Sequence, residues 1–204
     1  MAQVHTLDKW AAGPAYGPVL SQTDLYILCK EIQLHPILTR QHPSFTLIFN
    51  LLDGQPGGYN PNDAEHNLPL TQANEPATLP RVQELVIITD HSPWCTIVKN
   101  PEGVTLGDVF GTLWREYTDN PVTEAELGSC PQRIQDVIKR AAQTNQGSGT
   151  PWTGFYTPAA SRVRRVDWLR DKVSFESMVK DDNYIHGRLG FSAPNIFLLR
   201  MGAW

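Results

Sequence analysis

Apolar residues recur along the chain at two spacings, which predict its main helices and strands. The clearest helix begins at Thr105, because Thr105 and Asp108 have the [ST]-x-x-[DE] spacing of a helix N-terminus. The apolar residues that follow fall on one side of a helix, so that side is expected to be buried. They are Leu106, Val109, Phe110, Leu113, Trp114 and Tyr117.

Short runs rich in β-branched and aromatic residues predict strands on both sides of this helix. The runs at residues 84–90 and 94–99 flank the turn at Asp90–Pro93 and predict a hairpin. The other predicted strands are SFTLIFNLLD (44–53), RVRRVDWL (162–169), VSFESMV (173–179) and NIFLLRM (195–201).

Strands therefore stand towards both ends of the chain and helices group in the middle, which favours an α+β fold over alternating βαβ units. We expect a mostly antiparallel sheet built from N- and C-terminal strands. Residues 21–204 are expected to form a single domain, preceded by an extended arm at residues 1–20. The polar segment 54–80, rich in Gly, Pro and Asn, is expected to be a long surface loop.

Charge is distributed unevenly over the 204 residues. The formal net charge is −4, so the chain lacks the overall positive field of non-specific nucleic-acid binders. Residues 161–204, however, hold eight Lys or Arg against five Asp or Glu, a net +3 that leaves −7 for the first 160 residues. A polyanion would therefore meet the C-terminal quarter first.

The sequence carries no signal for a membrane, a metal or a cofactor. Its N-terminus lacks the regions of a signal peptide, and no run approaches the roughly 18 apolar residues of a membrane span. Nucleotide-binding, zinc and nucleophile-elbow motifs are missing, and the three cysteines have no metal-ligand spacing. We therefore expect a cytoplasmic protein that needs no metal and no cofactor.

The run RVRRVDWL is the densest polar constellation. On a strand, Arg165 and Asp167 would share one side, while Val166 and Trp168 would share the other. Two interpretations stay open. In the first, Trp168 belongs to the core and Asp167 either pairs with an arginine or caps a turn. In the second, the guanidinium and the carboxylate converge on a ligand beside an aromatic ring.

The end of the central helix offers a similar choice. Tyr117 lies on the apolar stripe, which favours core packing. A tyrosine at a helix end beside Glu116 is also able to line a pocket with its hydroxyl exposed.

Three segments carry a resemblance to other proteins: LHPIL (34–38), PWCTIVKNPEGVTLGDVFGTLWREYTDNPVTEAEL (93–127) and RRVDWLRDKVSFESM (164–178). Together they resemble a set of agaricomycete (mushroom) fungal proteins of unassigned function, from about residue 18 to residue 201. The size of the chain and its lack of a signal peptide are also similar to those of edodin-type ribosome-inactivating proteins of mushrooms.

The narrower resemblance implies an RNA N-glycosylase that removes one adenine from an exposed loop of large-subunit ribosomal RNA. Such an enzyme needs a carboxylate near the ribose, an arginine near the base and aromatic rings that hold the base. The residues implied as catalytic are Arg165, Asp167 and Glu116, and those implied as substrate-binding are Tyr117, Trp168, Arg164, Trp152 and Tyr156. The chain lacks the E-A-x-R helix of plant ribosome-inactivating proteins, and its overall acidity counts against an RNA-directed enzyme.

Two non-catalytic functions stay open beside this one. A small-molecule-binding domain requires a closed apolar pocket, for instance beneath Trp94, Trp114 and Phe175. A protein-interaction domain requires a flat apolar patch instead.

Overall fold

The computed structural model describes residues 9–10, 17–28, 30–147 and 162–203. Its helices are α1 (Gln22–Leu28), α2 (Leu106–Thr118), α3 (Glu124–Gly128), α4 (Gln132–Gly147), α5 (Arg165–Trp168) and α6 (Asp182–Leu189). Its strands are β1 (Val19–Leu20), β2 (Gln33–Leu34), β3 (Thr46–Ile48), β4 (Gly57–Asn60), β5 (Asp63–Pro69), β6 (Thr78–Leu79), β7 (Arg81–Val82), β8 (Glu84–Thr89), β9 (Cys95–Lys99), β10 (Ser174–Val179) and β11 (Ile196–Gly202). The predicted α+β class, with helices grouped in the middle of the chain, is confirmed.

The largest sheet has four strands in the order β10, β11, β8 and β9. The predicted hairpin of β8 and β9 is antiparallel, as is the pair of β10 and β11, whereas β11 runs parallel to β8. This sheet draws its strands from the middle and the end of the chain. N-terminal strands form smaller sheets beside it, and the bridge between Asn50 and Ser174 links them to β10.

Helix α2 covers the inner side of this sheet and agrees with its predicted bounds. The Thr105 side chain accepts a hydrogen bond from the Asp108 backbone N–H, and the Asp108 carboxylate accepts one from the Thr105 N–H. This arrangement satisfies N–H groups that the helix start otherwise leaves unpaired. The ring of Phe110 packs against Phe49 and Phe175, with centroids 5.0 and 5.8 Å away. Helix α2 therefore joins the N-terminal strands and β10 in one core.

A smaller core lies on the other side of the sheet, under α6. Ile185 packs there with Ile88 of β8 and with Ile196 and Leu198 of β11. The sequence predicts a turn at residues 181–187, and that prediction is wrong. The Asp181 side chain caps the helix by accepting a hydrogen bond from the Tyr184 N–H, which allows a short helix to form.

The predicted strand at residues 44–53 and the predicted loop at 54–80 are also revised. The strand is shorter, and the polar segment after it contains the antiparallel pair β4 and β5. These strands escape a prediction based on apolar alternation because their residues are mostly polar or glycine. A Cβ at Gly58 would lie 2.2 Å from the Thr46 carbonyl oxygen, so glycine permits the close approach of β4 to β3.

The predicted N-terminal arm falls mostly outside the described residues. Of its last part, β1 pairs in parallel with β7, and the Arg81 guanidinium donates a hydrogen bond of 2.5 Å to the Gly17 carbonyl. Residues 19–20 are therefore joined to the body of the domain. The division into an arm and a domain stays a prediction.

Two glycine substitutions are expected to change stability in opposite directions. Gly58→Ala places a methyl group against backbone, and overpacking of this kind lowers the free energy of unfolding by about 1–3 kcal/mol. Gly111→Ala, in the middle of α2 with nothing within 4 Å of the new Cβ, raises it by about 0.5–1 kcal/mol through helix propensity. Urea unfolding of both variants measures the difference, and equal destabilisation by the two would contradict these backbone positions.

Candidate functional site

The second half of the run RVRRVDWL, Arg165–Trp168, forms a helical turn, so the prediction of a strand is wrong there, whereas Arg164 keeps an extended backbone and bridges to Pro121. The physical reason is the Asp167 carboxylate, which has no exposed surface and accepts hydrogen bonds from the Arg164 N–H at 2.8 Å and the Asn145 side-chain amide at 2.8 Å. A carboxylate that bonds to the backbone three residues earlier stabilises a helix start. As a result, Arg165 and Asp167 do not share one side.

Arg165 is held between a carboxylate and an indole. Its guanidinium donates a hydrogen bond to the Glu116 carboxylate at 2.9 Å and lies 4.8 Å from the centroid of the Trp94 ring. The same Glu116 oxygen accepts a hydrogen bond from the Asn120 side chain at 3.0 Å. The ion pair reaches solvent, because 39% of the Glu116 side chain and 23% of the Arg165 side chain are exposed.

Two tryptophans and a second carboxylate complete the group. The ring of Trp168 meets that of Trp94 edge to face, with centroids 5.2 Å apart. The Trp94 indole N–H donates a hydrogen bond of 2.6 Å to the Glu126 carboxylate. That bond, with the cap bonds from Thr123, holds the pKa of Glu126 below its ordinary value. We call Trp94, Glu116, Glu126, Arg165 and Trp168 the Trp94 cluster.

Tyr117 supports the cluster from below. Its ring is 3% exposed and lies edge-on to Trp94, and its hydroxyl shares a hydrogen bond of 2.7 Å with the buried Ser92 hydroxyl. Burial raises the pKa of Tyr117 to about 12, although the bond to Ser92 acts in the opposite direction. The predicted core position of this ring is therefore confirmed.

The hairpin connection that carries Trp94 is fixed from the opposite side of the sheet. The guanidinium of Arg188, on α6, donates hydrogen bonds to the carbonyls of Thr89, Ser92 and Trp94, at 2.6 Å for Ser92 and 3.4 Å for Trp94. A half-buried arginine thus satisfies three carbonyls of one short loop. The loop and its tryptophan are held in one position.

The predicted site residues that the structure describes are distributed over four places. Glu116, Arg165 and Trp168 meet in the Trp94 cluster. Asp167 is buried towards α4, and Tyr117 is in the core. Arg164 lines a separate groove. The predicted substrate residues Trp152 and Tyr156 lie outside the described part of the chain.

Sequence reasoning missed the roles of Trp94, Glu126 and Arg188 in this site. Trp94 entered only as part of a hypothetical apolar pocket, and Glu126 and Arg188 were not named as site residues. A tryptophan in a short loop between two buried strands is a signal that was available, because loops on a rigid scaffold carry functional side chains. The hypothetical pocket itself is not supported, because Phe175 is buried in the main core and Trp114 packs over Gly54.

The described residues show neither a metal centre nor a membrane helix. No group of three or more His, Cys, Asp or Glu side chains among them is arranged to hold a metal ion. Of the helices in the described part of the chain, none is both long and apolar enough to cross a membrane.

The pKa of Tyr117 leads to a prediction for alkaline stability. Its phenol ionises near pH 10.0 in the unfolded chain and near 12 in the fold, so the stability it contributes is present below pH 10 and is lost as the pH rises to 12. Across that interval the free energy of unfolding should fall by about 2–3 kcal/mol more for the natural chain than for Tyr117→Phe. Urea unfolding at several pH values measures both, and parallel curves would contradict the buried position.

Comparison with known proteins identifies a family. A search of curated proteins and a search of solved structures both return no match. Residues 49–184 match the family described as "Family of unknown function (DUF6699)", and this stretch includes every residue of the Trp94 cluster. Because the match covers more than half of the 204 residues, the chain belongs to the DUF6699 family.

Proposed function

We propose that this chain is an RNA N-glycosylase that releases an adenine from an exposed loop of large-subunit ribosomal RNA, and that the Trp94 cluster is its active site. One observation carries the proposal: a solvent-accessible carboxylate and a guanidinium lie 2.9 Å apart beside two tryptophan rings. These are the groups that removal of a base requires.

The reaction breaks the bond between ribose C1′ and adenine N9, and the electron pair of that bond leaves with the base. The sugar becomes oxocarbenium-like, so a nearby carboxylate stabilises the transition state. Water then adds its oxygen to C1′, and its released proton balances the proton that the departing adenine takes up. The products are free adenine and an abasic site in the RNA.

Glu116 is suited to the sugar side of this reaction. Its carboxylate is the more exposed member of the pair, and it is oriented by hydrogen bonds from Arg165 and Asn120. In this position it would stabilise the positive charge on the ribose and accept the proton of the attacking water. We assign this role to Glu116 instead of Asp167, because the Asp167 carboxylate is fully buried and is used as a helix cap.

Arg165 is suited to the base side. A guanidinium stays protonated at neutral pH, so it would act by donating hydrogen bonds that stabilise negative charge on the leaving adenine, without giving up its own proton. The Trp94 ring and Glu116 already fix its orientation. Such preorganisation reduces the rearrangement needed during the reaction.

Trp168 is the aromatic residue most suited to hold the adenine. It is half-buried and packs against Trp94, whose own ring is occupied by Arg165. Stacking of a base on an aromatic ring contributes about 1–3 kcal/mol, and an adenine in a single-stranded loop is unstacked at modest cost. Ribosomal RNA is therefore the proposed partner, with Trp168 as the stacking platform.

The proposal is tested by Glu116→Gln and Arg165→Gln, assayed by the release of adenine from eukaryotic ribosomes. Each should lower the rate by about 10² or more, because each removes a charge that stabilises the opposite charge developing in the transition state. Arg115→Gln is the matched control, since Arg115 is an exposed arginine on the same helix as Glu116 and should leave the rate unchanged. Full activity of Glu116→Gln would remove this site from consideration.

Asp167→Asn separates a structural role from a catalytic one. The substitution replaces one acceptor oxygen of this buried carboxylate with a donor, so a buried hydrogen bond is lost and the fold should be destabilised by about 1–3 kcal/mol. The rate per folded molecule should remain normal. A stable variant that has lost adenine release would return Asp167 to the catalytic residues.

A further inference from the structure

A groove of about 310 Å³ is lined in part by Arg164, the residue that precedes Arg165 in the chain. Its lining residues are Thr118, Asp119, Pro121, Gln146, Arg162 and Arg164. The groove contains none of the residues of the Trp94 cluster, so it is a second place at which a ligand can make contact.

The backbone places the two arginines of this groove on one side. Arg164 forms an isolated β-bridge with Pro121, and the Val163 carbonyl accepts a hydrogen bond from the Val122 N–H at 2.7 Å. Side chains two residues apart on an extended segment point the same way and are about 6.6 Å apart along the chain. Arg162 and Arg164 therefore present their guanidinium groups together.

Within the described part of the chain, both guanidinium groups have donors without a hydrogen-bond partner. The Arg162 side chain makes no hydrogen bond or ion pair with any residue that the structure describes. Arg164 has one such contact, from Nε to the Asp167 carboxylate at 3.7 Å, which is too long for a hydrogen bond, and its buried Nε has no hydrogen-bond partner. The charged residues that line the groove are these two arginines and Asp119, so its lining has a net charge of +1.

From this geometry we propose that the groove binds phosphates of the single-stranded RNA next to the target adenine. The inference rests on the proposed N-glycosylase function, because the groove would contact the RNA backbone of the same substrate. Two aligned guanidinium groups suit phosphate oxygens, with which arginine forms paired hydrogen bonds. Arg164 and Arg165 are consecutive, with Cα atoms about 3.8 Å apart, so RNA whose phosphates occupy the groove lies close to the Trp94 cluster, the proposed place of base removal.

Phosphate contacts of this kind predict a measurable dependence on salt. Each single-stranded phosphate contact contributes about 0.7 to the slope of log affinity against log salt concentration, so loss of two contacts lowers the slope by about 1.4. Affinity itself should fall at least about tenfold at low salt, since charge-assisted hydrogen bonds are among the stronger polar contacts.

The experiment measures fluorescence anisotropy of a labelled single-stranded RNA that contains the loop adenine, with Glu116→Gln protein to prevent turnover. In that background, Arg162→Gln/Arg164→Gln is compared with Arg133→Gln/Arg140→Gln, which removes the same charge from exposed positions on α4. Melting temperatures establish that both are folded. The first pair should show the tenfold loss and the smaller salt slope, whereas the control should show neither.

Equal RNA affinity and equal salt slopes in the two double variants would overturn the inference. Inorganic phosphate, added at constant ionic strength, is a second test, because phosphate that occupies the groove should compete with RNA less in the groove variant than in the control. Equal competition in the two double variants would also overturn the inference. The two proposals fail separately. RNA binding through the groove without adenine release would contradict only the proposed enzymatic function. Normal adenine release by Arg162→Gln/Arg164→Gln would contradict only the proposed role of the groove.

Discussion

A single buried carboxylate determines the geometry of the candidate site. Asp167 has no exposed surface, and a buried polar group is tolerated only when hydrogen bonds replace the water it has lost. The Arg164 backbone and the Asn145 side chain supply those bonds, so the start of α5 and the end of α4 are joined at this point. Because α5 is only four residues long, its orientation depends on this carboxylate.

The orientation of α5 has two consequences for chemistry. It directs Arg165 to Glu116 on α2 and brings Trp168 against Trp94. The loop that carries Trp94 is held by Arg188 from α6. Three elements that lie far apart in the sequence thus meet around one ion pair. A site fixed by its own fold requires little rearrangement when a substrate binds, which is the arrangement that catalysis by charge stabilisation needs.

The elements with a strong apolar rhythm could be predicted from the sequence. Helix α2 buries residues at helical spacing and β9 alternates buried and exposed residues, whereas β8, β10 and β11 are short runs rich in apolar residues. Helix α5 could not be predicted in this way, because the mixture of Arg and Val in RVRRVDWL suits a strand. One buried hydrogen bond, from the Arg164 N–H to the Asp167 carboxylate, favours a helical turn instead. Local pattern gives no information on such a contact.

The site was predictable only in part, for a related reason. Glu116 and Arg165 were both named as candidates, but they are 49 residues apart and no spacing indicates that they form an ion pair. Trp94 and Glu126 are likewise distant in the sequence, and a hydrogen bond between the hairpin loop and α3 joins them in the fold. The residue types could be chosen from the chemistry of the proposed reaction, whereas their grouping required the tertiary structure.

Membership in the DUF6699 family brings no reaction with it, so the enzymatic claim depends on the Trp94 cluster. Its most direct test is incubation of the natural chain with intact eukaryotic ribosomes, followed by aniline treatment of the extracted RNA. Aniline cleaves RNA at an abasic site, so removal of one adenine predicts a discrete fragment of the large-subunit RNA, absent without aniline and with Glu116→Gln protein. Large-subunit RNA that stays intact after treatment with stoichiometric amounts of the folded chain would contradict the account.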